Sequence, residues 1–178
     1  MGSSQAYLAV KGKSEKEIWD DLGLVVLAPG ESTPMERRGP IVGSQLDSGW
    51  YFILDPNYKL IENADKLAKL SSGAEVLGGA IEEHCNYAMT KGWQNGRESW
   101  RVEHNLDDGA DHLFVAGLPP EPFSQIRDKI VAEREATPEE QRHDFYFSIP
   151  VDLFLELTGY CYYRRSSLGD ECVSLKLA

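Results

Sequence analysis

EVLGGAIEEHCNYAMTKGWQNGRESWRVEHNLDDGADHLFVAG, residues 75–117, is the stretch whose reading decides the fold. Strand-like runs alternate with turn signals at hairpin spacing, which predicts an antiparallel meander. Asn95-Gly96 is the clearest turn, because both residues tolerate positive φ and so favour a tight type I′ connection. A simple register about that turn sets Tyr87 opposite His104 and Met89 opposite Val102. It puts Trp100, Val102 and His104 on one face and Arg101, Glu103 and Asn105 on the other. A second turn at Leu106-Asp107-Asp108-Gly109 leads into His112-Leu113-Phe114-Val115 and brings His112 near His104. Gly78-Gly79 marks a bulge or a close backbone approach.

Working upstream, Ala6 to Val10 reads as a buried strand. Ser14 and Glu17 have the spacing of a capping box, so a short helix through Ile18 and Trp19 follows. Prolines and glycines between Pro29 and Asp47 predict a long loop. Trp50 to Leu54 is a central strand candidate, and the apolar spacing from Leu60 to Leu70 predicts a helix ended by Gly73. Downstream, Pro119, Pro120 and Pro122 form a stiff entry to a helix from Phe123 to Arg134, and Glu133 to Arg142 reads as a solvated charged run. Phe145 to Ile149 reads as a strand, Val151 to Thr158 as a short helix and Tyr160 to Tyr163 as a last strand. Helices interspersed with antiparallel strands make the class α+β, an antiparallel sheet with three to four helices packed on it. A chain of 178 residues fits one domain over 5–175, divisible into two sub-lobes near 72–75. Met1 to Ser4 and Lys176 to Ala178 read as an expression leader and a cloning scar and are set aside.

The net charge is −11, with 29 acidic against 18 basic side chains. Residues 61–122 hold 11 of the acids and only 5 bases, so the middle third carries more than half of the excess. Such a field repels nucleic-acid phosphate and anionic membrane and speeds encounter with a basic partner. Cys85, Cys161 and Cys172 are an odd set without CxxC spacing. Neither a disulfide framework nor a zinc knuckle is indicated, and a reducing cytoplasm fits. No stretch approaches the roughly 20 apolar residues of a membrane span.

Catalytic signals are weak throughout. Glu82, Glu83, His84 and Cys85 are contiguous, and alternation along a strand sends neighbours to opposite faces, so they do not converge on one ion. His104 with His112 is two ligands where a catalytic zinc takes three. There is no GxSxG elbow, no GxGxxG and no P-loop. Arg164 and Arg165 beside Tyr162 and Tyr163 are too few to make a nucleic-acid patch on an acidic chain. What remains is carboxylate: Glu103, Asp107, Asp108 and Asp111 around one turn, with Glu82 and Glu83 near them in a meander, and Trp93 as a candidate contact aromatic.

The succession Gly49-Trp50-Tyr51, Leu70-Ser71, Glu75-Val76, Glu82-Glu83-His84, Trp100-Arg101-Val102-Glu103-His104, Gly117-Leu118-Pro119-Pro120, Ile149-Pro150-Val151 and Leu157-Thr158-Gly159-Tyr160 resembles a set of uncharacterised bacterial proteins over residues 6–163. Small acidic proteins of this kind also resemble bacterial toxin-immunity proteins. That likeness implies a cytoplasmic, non-enzymatic inhibitor that takes no cofactor or metal and neutralises a cognate, basic protein toxin through an acidic surface. The partner-binding residues are then Glu82, Glu83, Trp93, Glu103, Asp107, Asp108 and Asp111. Two alternatives stand beside it: a small hydrolase or metal-dependent enzyme using histidines of the central sheet, and an assembly adaptor or homo-oligomeric structural protein.

Overall fold

Nine strands form one sheet whose pairings are all antiparallel, in a computed structural model that describes residues 2–28, 39–142, 144–164, 168 and 171–178. The strands are β1 (Ser4–Lys11), β2 (Leu24–Val26), β3 (Ile41–Gln45), β4 (Tyr51–Asp55), β5 (Glu75–Glu82), β6 (Tyr87–Gln94), β7 (Arg97–Asn105), β8 (Phe114–Gly117) and β9 (Cys172–Leu177). Their spatial order is β2-β9-β3-β4-β1-β5-β6-β7-β8, so β2 and β8 are the edges. Four helices complete the α+β fold: α1 (Glu15–Leu22), α2 (Ala64–Leu70), α3 (Pro122–Ala136) and α4 (Phe145–Thr158).

The sheet is apolar on both faces, and each face has its own helix pair. Ile18 and Leu22 of α1 and Leu67 and Leu70 of α2 pack with Leu8, Val10, Ile53 and Val76 on one side. Phe123 and Ile130 of α3 and Phe147, Leu153 and Phe154 of α4 pack with Tyr7, Phe52, Leu77 and Val102 on the other. A strand covered on both faces loses the clean apolar-polar alternation, which is why β1 reads as the unbroken run Ala6 to Val10. Ser14 and Glu17 form the expected capping box at the start of α1.

The meander from β5 to β8 is present, and Asn95 and Gly96 turn between β6 and β7 with φ of 52° and 80°. Its register differs by one residue from the simple expectation. Trp93 pairs with Glu98 but Gly92 pairs with Trp100, leaving Ser99 as an extra residue on β7. Beyond this bulge Tyr87 lies opposite Asn105 and Met89 opposite Glu103. The facing survives, because Trp100, Val102 and His104 are still all buried on the α4 side.

Four local expectations are overturned. Ile41 to Gln45 is a strand inside the segment read as a loop, while 29–38 lies outside the described residues. Phe145 to Ile149 belongs to α4, whose buried residues Phe147, Val151, Phe154 and Thr158 recur at helical spacing; a short apolar run does not by itself distinguish a buried strand from a buried helix. Pro150 sits inside that helix, and its carbonyl accepts a hydrogen bond from Thr90 Oγ1 at 2.7 Å, tying α4 to β6. Tyr160 is not in a strand; it turns inward to stack on Phe52 with ring centroids 3.9 Å apart. The ends are structural: Ser4 lies in β1, and Lys176 and Leu177 lie in β9, which pairs with both β2 and β3.

Candidate protein-binding surface

Two turns meet at one end of the meander. Glu82 pairs with Tyr87 and Tyr87 with Asn105, so the β5–β6 turn and the 3-10 turn Leu106–Asp108 lie side by side, joined by Leu106 N–H donating to Asn86 O at 3.3 Å. The acids of both turns therefore gather there. Asp107 and Asp108 are exposed, with Asn105 holding the turn: its side-chain oxygen accepts from Asp107 N–H at 3.2 Å and its amide donates to Asp108 at 2.9 Å. Asp111 is exposed and pairs with Arg134 of α3. Glu83 is exposed, accepting from the backbone of Ser3 and, at 2.8 Å, from Tyr162 Oη. Asp144 adds a further exposed carboxylate, bonded by the Asn86 amide.

Glu82 and Glu103 lie one step inward on the α1–α2 face. Burial works against the charge of Glu82, but the Ser4 hydroxyl and the His84 ring, 2.7 Å away, outweigh it and hold the carboxyl below the usual glutamate range. Glu103 accepts from Tyr87 Oη at 3.3 Å and lies 3.6 Å from Arg101. Burial, then the Glu103 charge, push the Tyr87 phenol well up, so it stays a hydrogen-bond donor. The remaining expected residue, Trp93, is not part of this cluster: it is buried, at the opposite end of β6.

Beside the acidic end runs β8, the open edge of the sheet. Phe114 and Val115 are 48% and 40% exposed, and Leu118, just past the strand, is 90% exposed. Phe114 pairs directly with Glu103, so an exposed aromatic and a carboxylate share one face of the edge. The strand is short because of its seat. Gly117 has a φ of 68°, and a Cβ there would overlap the carbonyl of Ser99, the bulged residue of β7. Pro119 and Pro120 follow at once. A short edge closed by proline limits self-pairing while leaving its few outward backbone groups open. The acids are legible in the sequence and the exposure of Phe114, Val115 and Leu118 is not, since nothing local marks a strand as the last in its sheet.

His104 and His112 each bond the backbone through Nδ1. His104 is buried, and its Nδ1 lies 2.8 Å from His112 O, which only accepts, so Nδ1 carries the proton. His112 Nδ1 accepts from Asn105 N–H at 3.0 Å. The rings are 6.3 Å apart and brace the β7–β8 connection rather than bonding each other. Among the described residues no three His, Cys, Asp or Glu side chains group as ion ligands, and no helix is long and apolar enough to cross a membrane. No family model, curated protein or solved structure matches the chain.

Proposed function

We propose that the protein binds a basic protein partner along β8 and the adjoining acidic turns, and acts as an inhibitor in the manner of an immunity protein. The observation that carries this reading is the coincidence of an open, apolar edge strand with the acidic end of the sheet. Each half supplies what the other lacks. Phe114, Val115 and Leu118 offer apolar area and unpaired backbone for a partner strand, the source of residence time. Asp107, Asp108, Glu83 and Glu103 offer the field that steers a basic surface and disfavours an acidic one. Because β8 has only four residues, the partner contributes a short strand flanked by lysine or arginine, and inhibition follows when that segment borders the partner's own working site.

Affinity capture from an extract of the source organism, with retained proteins identified by mass spectrometry, tests the reading. One basic protein held at near-equal stoichiometry is expected, weakening as salt rises. Retention of no basic protein, together with a mass that grows with concentration, would replace it with self-assembly through the sheet edges, where β2 also exposes Val25 and Val26.

A further inference from the structure

On the α1–α2 face, the segment before α2 stands over β5, β6 and β7 and leaves a cavity of about 540 Å³ open at Glu62 and Ala64. Ile61, Ala80, Met89 and Trp93 give it an apolar lining. Lys91 enters this lining almost fully covered, its side chain 8% exposed. Among the described residues its ammonium donates one hydrogen bond, to Ile61 O at 3.1 Å. Glu98 Oε2 lies at 3.8 Å, too far for a second, because Arg101 holds that carboxylate through two bonds of 2.9 Å. An ammonium has three donors, so Lys91 faces the cavity with hydrogen-bonding capacity unspent. Glu62 and Glu98 in the lining are balanced by Lys91 and Arg101, so the walls carry no net charge. A neutral group with an acceptor oxygen and an apolar body fits both the charge and the walls.

We propose that this cavity binds a small apolar aldehyde, which Lys91 holds covalently as a Schiff base. The nitrogen lone pair attacks the carbonyl carbon; the C–N bond forms as the C=O π bond opens to a hydroxyl, which takes one amine hydrogen. Departure of that hydroxyl with the second amine hydrogen, as water, leaves the C=N bond and requires no oxidant or reductant. Burial, partly offset by Glu98 and reinforced by Arg101, pushes the Lys91 ammonium below the usual lysine range, which enlarges the nucleophilic neutral fraction.

The wild-type protein is treated at neutral pH with limiting benzaldehyde and cyanoborohydride, and the reduced adducts are mapped by peptide mass spectrometry. Lys91 is expected to carry at least about tenfold more adduct than the exposed Lys16 and Lys129, the preference a desolvated amine gains over solvated ones. Adduct on Lys91 no greater than on those two lysines would overturn the proposal.

Discussion

Gly79 shows how much of this fold rests on single atoms. A Cβ at that position would overlap the Tyr7 ring, which is fully enclosed by Phe52, Phe154 and Tyr160 and has nowhere to move. Gly79→Ala should cost about 1–3 kcal/mol, the range for overpacking a core, read as a lowered urea midpoint with an unchanged slope. Asp21 supplies a pH test. Burial opposes its charge, yet Lys13 at 2.6 Å and Lys69 at 3.2 Å prevail and hold the carboxyl below the usual aspartate range. A depressed folded-state value gives stability that is fully present above the unfolded value and lost as pH falls through the folded one. Wild type should therefore melt above Asp21→Asn near neutrality, with the gap narrowing from about pH 4 downward and closing in stronger acid. At this scale the sequence was informative where chemistry is local. Ser14 and Glu17 announce a helix start by spacing alone, and Gly78-Gly79 announces a close approach. It was silent on Lys91, since a lysine in a strand reads as solvated until the segment before α2 is seen to cover it.

Among the elements, β9 near one end of the sheet and β8 at the other edge are seated differently and should fail differently. β9 is not legible in the sequence because its pattern, Val173, Leu175 and Leu177 alternating with polar residues, is cut short where Lys176 to Ala178 read as a scar. In the structure Leu175 is fully buried and β9 joins β2 to β3. Leu175→Ala should cost about 2–5 kcal/mol in global unfolding, the range for emptying a buried leucine site. β8 depends instead on the Ser99 bulge. A one-residue irregularity leaves no reliable local signature, which is why the facing of β7 was legible and its cross-strand partners were not. Gly117→Ala sets a Cβ against the Ser99 carbonyl and should loosen β8 alone: faster hydrogen exchange at Arg101 and Ala116, which pair across β7 and β8, with the core amides of β1 and β5 unchanged. Uniform acceleration across the sheet would show instead that β8 is integral to the core.

For the molecule as a whole, charge and apolar surface do different work. The charge imbalance of the middle third was plain in composition. Its concentration at one end of the sheet needed the pairing of two turns far apart in sequence, and its adjacency to an open edge needed the strand order. Asp107→Lys with Asp108→Lys should slow association with a basic partner by about tenfold or more at low salt and change dissociation little, because steering acts on encounter. The same pair should leave the melting temperature nearly unchanged, both side chains being exposed. Binding through β8 is tested by comparing capture by three forms of the chain: wild type, Phe114→Ser with Leu118→Ser on β8, and Val26→Ser on the opposite edge. Partner recovery that persists with wild type and Val26→Ser and vanishes with the β8 variant is the predicted result. Equal recovery by all three would contradict it and place the binding surface elsewhere on the molecule.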